Sequence, residues 1–154
     1  MKYFLDTEFI TYPCTIDLIS IGIVNEKGNE FYVESSEFKE EKADDWVRIN
    51  VISKLGDPSK RLPKYKIAKE IIEFIGYDQA VEFWAWYSAF DWVAFCWLFG
   101  KMAEFPWFLP KYCKDIKQLE DSLCFQVPRQ KTAHHHALND ARWNKQAYEF
   151  LTSK

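Results

Sequence analysis

One α/β domain spanning residues 1–154, with a mixed sheet and helices on its faces, is what the sequence predicts. Three observations predict it. Strand-like segments joined by a turn come first and form an antiparallel meander. From residue 64 onward, helical periodicity alternates with apolar extended segments. The chain is long enough to bury a core of its own, and no repeat, low-complexity tract or linker divides it.

Each element has a local reason. Lys2–Asp6 reads as a first strand and Leu18–Val24, nearly all apolar, as a second. Asn25–Asn29 supplies turn residues, and Glu30–Val33 is a third strand. Residues 34–64 are irregular, with a short helix around Trp46, a turn at Gly56-Asp57-Pro58, and Pro63. Lys64–Ile75 repeats apolar residues at helical spacing and ends at Gly76. Val81–Trp86 is a strand. Ala89–Phe99 is a buried helix closed by Gly100. Pro106 and Pro110 mark a loop, Tyr112–Ile116 a short strand, and Ala137–Leu151 a final helix with one apolar stripe.

Composition narrows the function. The net charge of −3 gives no overall basic excess, but charge is uneven. Glu34–Asp45 is mostly acidic. Lys54, Lys60, Arg61, Lys64, Lys66 and Lys69 face only Asp57. Lys111, Lys114 and Lys117 form another basic set, and Arg129 and Lys131 precede the histidines. Such patches hold a phosphate backbone or are merely solvated faces. Seven Trp, eight Tyr and thirteen Phe exceed what a small core needs, which leaves rings for a groove or a subunit interface. Cys14, Cys96, Cys113 and Cys124 form no C-x-x-C pair and read as reduced thiols of a cytoplasmic protein. With the histidines they fit no common zinc spacing. Asp6 and Glu8 interrupt any N-terminal leader. Asp91 sits in the middle of the apolar run Phe83–Phe99 and argues against a membrane span.

The chemistry rests on Asp6, Glu8, Asp91, His135 and Asp140. Asp6 and Glu8 are two apart on a strand and point the same way. Adjacent carboxylates repel unless a cation lies between them, although two surface acids at a strand end would look alike. Asp91 is the only charged residue between Phe83 and Gly100. Such a carboxylate needs a distant cation, a metal or a wet cleft, unless it merely tolerates a helix start. Asp140 lies in the first turn of the last helix, where the helix dipole also favours a negative charge. His135 is one of three neighbouring histidines. Oxygen ligands select Mg²⁺ or Mn²⁺ over zinc. Four carboxylates can hold two such ions about 4 Å apart, the arrangement for in-line phosphoryl displacement. A neutral imidazole can take the proton from the attacking water.

Three motifs, in this order and spacing, resemble the DEDD-type 3′–5′ exonucleases. They are Phe4-Leu5-Asp6-Thr7-Glu8-Phe9, Tyr87-Ser88-Ala89-Phe90-Asp91, and His135-His136-Ala137-Leu138-Asn139-Asp140-Ala141. The resemblance covers most of the chain. It implies a ribonuclease H-like fold with five or six strands. It also implies the histidine subclass, because His135 stands five residues before Asp140. His135 is then the general base. The resemblance further implies that Asp6 bridges two ions, that Glu8 and Asp140 complete one site, and that Asp91 acts largely through water. Trp46-Val47-Arg48-Ile49-Asn50-Val51 looks like a segment of the short, stand-alone mycobacterial-type exoribonucleases. That branch implies RNA trimmed from a single-stranded or overhanging 3′ end to nucleoside 5′-monophosphates, by a homodimer. Thr7, Phe9, Ile10 and Ser88 are the expected substrate contacts, with His135. A stacking ring is worth about 1–3 kcal/mol per base. Glu8 is placed to read a ribose hydroxyl. The competing readings are a 3′–5′ exodeoxyribonuclease or proofreading subunit, and a nucleic-acid-binding module without catalysis.

Overall fold

A computed structural model describes residues 1–77, 80–132 and 134–153. Five strands form one sheet: β1 (Lys2–Tyr12), β2 (Thr15–Asn25), β3 (Glu30–Glu34), β4 (Glu82–Ala85) and β5 (Lys114–Asp115). Their order across the sheet is β3-β2-β1-β4-β5. β1 pairs antiparallel with β2, and β2 with β3, while β4 runs parallel to β1 and β5 parallel to β4. The meander and the parallel extension are therefore both present. The helices are α1 (Asp45–Asn50), α2 (Lys64–Ile75), α3 (Ala89–Trp97), α4 (Ile116–Leu123) and α5 (Ala137–Thr152).

Strand alternation sends side chains to two cores. Tyr3, Leu5, Ile21, Ile23, Phe83 and Ala85 face one way and pack on Ile67, Ile71 and Ile75 of α2 and on Ala94 and Phe95 of α3. Phe4 faces the other way and packs on Ile116 of α4 and on Ala147 and Leu151 of α5. Helices thus cover both faces. A third cluster, Ile10, Ile19, Ala43 and Val51, fills the space beneath α1.

Two elements differ from the sequence expectation. β1 runs to Tyr12 rather than Asp6, because β2 starts at Thr15 and pairs with it throughout; the register shifts between Glu8 and Phe9. The expected strand Tyr112–Ile116 shrinks to Lys114–Asp115, and α4 follows directly. The Asp115 side chain caps α4, accepting hydrogen bonds from the backbone N–H groups of Lys117 and Gln118 at 2.8 and 3.1 Å. Ile116 and Leu119 supply its apolar face.

Gly22 fixes how close α5 comes to the sheet. A Cβ placed on it would lie about 2.5 Å from the carbonyl carbon of Ala137 and the Cα of Leu138. Gly22 is the strand partner of Asp6. The first turn of α5, which carries Asp140, is therefore seated directly beside Asp6.

Candidate active site

Asp6, Glu8 and Asp140 converge. One oxygen of each lies within 4.8 Å of the others. Asp6 and Glu8 come from β1, on the face that α5 covers, and Asp140 from the first turn of α5. The Asp140 carboxylate is held by the loop before its own helix. Its Oδ2 accepts hydrogen bonds from the backbone N–H groups of His135 (2.9 Å) and His136 (3.3 Å). Its Oδ1 accepts one from the Gln130 amide. To make these bonds His135 adopts a left-handed backbone, φ 61°, a conformation that costs a non-glycine residue energy and so needs support. Asn144 of α5, 1% exposed, donates from Nδ2 to the Leu5 carbonyl at 2.8 Å and ties the helix to β1.

Asp91 stands apart from that trio. It is 7% exposed in α3, and its Oδ1 accepts two hydrogen bonds from Thr7, from the backbone N–H at 2.8 Å and from the hydroxyl at 2.7 Å. Burial lifts its pKa to about 6, against the pull of Thr7. Burial also drives Asp6 well above the usual carboxylate range, with repulsion from Asp91, Asp140 and Glu8 adding to it. Glu8 is pushed up to about 8, again first by burial and then by Asp140 and Asp91. Among the described residues, no Lys or Arg forms an ion pair with any of the four acids. A concentration of negative charge without an ion-paired Lys or Arg among the described residues suits hard divalent ions bound through oxygen.

The histidines separate by environment. The His135 ring meets the edge of Trp46, centroids 4.7 Å apart. Burial lowers its pKa, so it is biased toward the neutral base. His136 stacks on Tyr32 of β3 at 4.7 Å, and its Nδ1 is buried without a hydrogen-bond partner among the described residues. His134 lines the cavity that contains Asp6 and Asp140. Its carbonyl accepts a 2.9 Å hydrogen bond from Lys54 Nζ, from the turn after α1. Trp46 and Lys54 thus brace the histidine loop from 80 or more residues away in sequence. The sequence reading assigned neither of them this role. Only the helical turn near Trp46 hinted at it.

Three of the expected substrate contacts are buried side chains. Ile10 is 1% exposed and packs against Ile19, Ala43 and Val51, so it has no surface to offer a base. Thr7 is buried and spends its hydroxyl on Asp91. Ser88 is buried, and its backbone N–H donates to Asp115 at 2.7 Å. These two position Asp91 and the start of α3. Phe9 keeps an accessible ring, stacked on the exposed Phe90 at 6.0 Å. We expect Thr7→Val to lower stability by roughly 1.5–3 kcal/mol at pH 8, where Asp91 is charged, and by less at pH 5. Denaturant unfolding at the two pH values checks it, and an equal loss at both would contradict the charged hydrogen bond.

A mixed sheet flanked by helices on both faces, with a carboxylate cluster between its first strand and last helix, is the architecture of the ribonuclease H-like fold. Solved structures share that architecture. The Schizosaccharomyces pombe Pop2p structure, in its Mg²⁺- and Mn²⁺-bound form, superposes with a TM-score of 0.62 at 13% identity, over 99% of this chain and 83% of that one. Escherichia coli exonuclease I in complex with a dT13 oligonucleotide gives 0.66 at 12% identity, over 99% of this chain and 41% of the other. The family model of the Rv2179c-like 3′–5′ exoribonuclease domain matches residues 1–152. The chain belongs to that family. It is 41% identical to the 3′–5′ exoribonuclease Rv2179c of Mycobacterium tuberculosis H37Rv, covering 99% of this chain and 94% of the relative. No helix among the described residues is long and apolar enough to cross a membrane.

Proposed function

We propose that this 3′–5′ exoribonuclease removes nucleoside 5′-monophosphates from single-stranded or overhanging RNA 3′ ends, with Asp6, Glu8, Asp91 and Asp140 holding two Mg²⁺ or Mn²⁺ ions and His135 as general base. The observation that carries it is the convergence of Asp6, Glu8 and Asp140 within 4.8 Å, with no ion pair to Lys or Arg among the described residues. The donor set fits the ions. All donors are carboxylate oxygens, and the raised pKa values of Asp6, Glu8 and Asp91 favour protons that a cation would displace. When bound, the ions activate water and neutralise charge at phosphorus and at the leaving oxygen. The chain does the rest. The hydrogen bonds to Asp140 fix its carboxylate, Thr7 fixes Asp91, and the site sits where α5 is tied to β1. His135, biased toward its neutral form by burial, would accept the proton of the attacking water. The Phe9–Phe90 pair gives a terminal base a ring to stack on, and Glu8 is placed to accept a hydrogen bond from a ribose hydroxyl.

Incubating a 5′-labelled RNA and a matching DNA with Mg²⁺ tests this. Shortening of the RNA from its 3′ end supports it. Preferred DNA cleavage favours the exodeoxyribonuclease reading, and binding without cleavage favours a non-catalytic module. The four free cysteines suit the cytoplasm. A homodimer, the expected assembly, is checked by analytical ultracentrifugation.

His135→Ala should lower turnover roughly 10²–10⁴-fold, with partial recovery at high pH. At saturating Mn²⁺ the wild-type rate should fall on the acid side of the ordinary imidazole range, as the imidazole gains its proton, and the variant should lack that limb. His136→Ala should disturb stability more than rate, because His136 packs on Tyr32. If His136→Ala is instead the more damaging to rate, the base is misassigned.

A further inference from the structure

We infer that the RNA strand on the 5′ side of the cleaved nucleotide runs through a second groove beside the acids, between α5 and the segment Pro128–Thr132, where Arg129 and Lys131 bind its phosphates and Trp143 flanks it. This rests on the exoribonuclease reading above. The cavity that contains Asp6 and Asp140, ≈ 370 Å³, is lined by Arg129 and Trp143. A neighbouring cavity of ≈ 450 Å³ shares these two residues and adds Lys131 and Arg142. The two therefore adjoin along one wall, and a chain leaving the acids in this direction enters the second.

The charges in this groove are of two kinds. Arg142 is spent on Glu30, to which its Nε and Nη2 donate at 2.7 Å each, so it forms wall and carries little free charge. Arg129 and Lys131 are exposed, and among the described residues neither forms an ion pair or a hydrogen bond. Two exposed cations without an ion pair among the described residues, beside a carboxylate cluster, offer an anionic chain a place to bind. Continuity with the acids makes it the substrate's own backbone. Trp143 is anchored by donating from its indole N–H to the Pro128 carbonyl at 3.2 Å, and it meets Trp86 edge-on with centroids 4.9 Å apart. The anchoring sets an aromatic wall between the two cavities. A single strand offers phosphates to the cations and bases to the ring, without sequence preference. A dinucleotide has one internucleotide phosphate, which the acids engage. Longer RNA has more, so the groove makes the enzyme prefer length.

The test compares kcat/KM for oligoribonucleotides of two and seven residues in wild type and in the double variant Arg129→Gln, Lys131→Gln. A parallel arm measures binding of a heptamer with a phosphorothioate 3′ linkage in Ca²⁺ by fluorescence anisotropy, so it reads the groove without turnover. We expect the heptamer-to-dimer ratio to fall at least tenfold in the variant. The salt slope of heptamer binding should shrink by about 0.7 per lost phosphate contact. Methylphosphonates at the second and third linkages from the 3′ end should weaken binding to wild type and leave the variant indifferent. An unchanged ratio and slope overturn the groove, as does equal loss on both lengths. Wild type that binds with the expected slope but cleaves no RNA would sink the exoribonuclease reading and leave the groove standing.

Discussion

Asp6→Asn is expected to abolish RNA hydrolysis while making the metal-free protein more stable at pH 8. Asp6 lies among three other carboxylates, and burial and their repulsion push its pKa well above the usual range. The sign follows from proton uptake. Glu8 titrates at about 8 in the folded protein against an ordinary value of 4.5, so between these pH values the native state keeps a proton that the unfolded chain has lost. The stability held below pH 4.5 therefore drains away as pH rises through about 8. Asp6 and Asp91 are displaced in the same direction. A tenfold change in proton affinity is worth about 1.4 kcal/mol, and solvent relaxation around the cluster reduces what reaches the folding equilibrium. Removing the Asp6 charge should return roughly 1–2 kcal/mol at pH 8, or several degrees in Tm for a chain of this size. Calorimetry in EDTA at pH 5 and pH 8 should show wild type losing stability across that interval and Asp6→Asn losing less. Mg²⁺ should then raise the Tm of wild type and leave the variant nearly unmoved, because ions bind the folded site only. Turnover should drop by ~10³-fold or more, the equivalent of several kcal/mol of lost charge stabilisation. Wild-type turnover in the variant, or equal pH dependence of the two proteins, would refute the electrostatic account of the site.

Gly22→Ala is expected to damage fold and activity together, although Gly22 touches no substrate. The methyl would enter the space held by the Ala137 carbonyl group and the Leu138 Cα, all of it backbone, which cannot rotate aside. The first turn of α5 must move away from β2, and Asp140 with it. Overpacking of this kind costs roughly 1–3 kcal/mol. A displacement near 1 Å at a catalytic group costs about 10²-fold in rate. Gly56→Ala is the control. Its Cβ would meet only the Glu34 carboxylate, at 3.6 Å, so it should stay within about 0.5 kcal/mol of wild type. Unfolding midpoints and kcat/KM measured on all three proteins decide the matter. Wild-type values in Gly22→Ala would mean that α5 is not seated by this glycine.

Much of this architecture was legible locally. The apolar run of β2, the turn residues before β3, the periodicity of α2 with its closing Gly76, and the stripe of α5 each lie within one stretch of chain. The three motifs could be read because each compresses chemistry into a few consecutive residues. α4 was missed for a local reason: eight residues are too short to display periodicity beside a strand, and Asp115 serves as strand end and helix cap at once. The longer β1 was missed because the pairing that extends it comes from β2.

By itself the sequence determined which groups are present: acids two apart on a strand, an acid in an apolar helix, a histidine five residues before the last acid, and therefore the family and its chemistry. Only the tertiary structure decided how they meet. It joined Thr7 to Asp91 across 84 residues, Asn144 to Leu5 across 139, and Lys54 to the histidine loop across 80. It also buried Ile10, which the family resemblance had placed beside the substrate. The physical reason is that side-chain type and local period are properties of neighbouring residues. Desolvation, close approach at Gly22 and the pairing of distant hydrogen-bond partners exist only once the sheet and its helices have closed on one another.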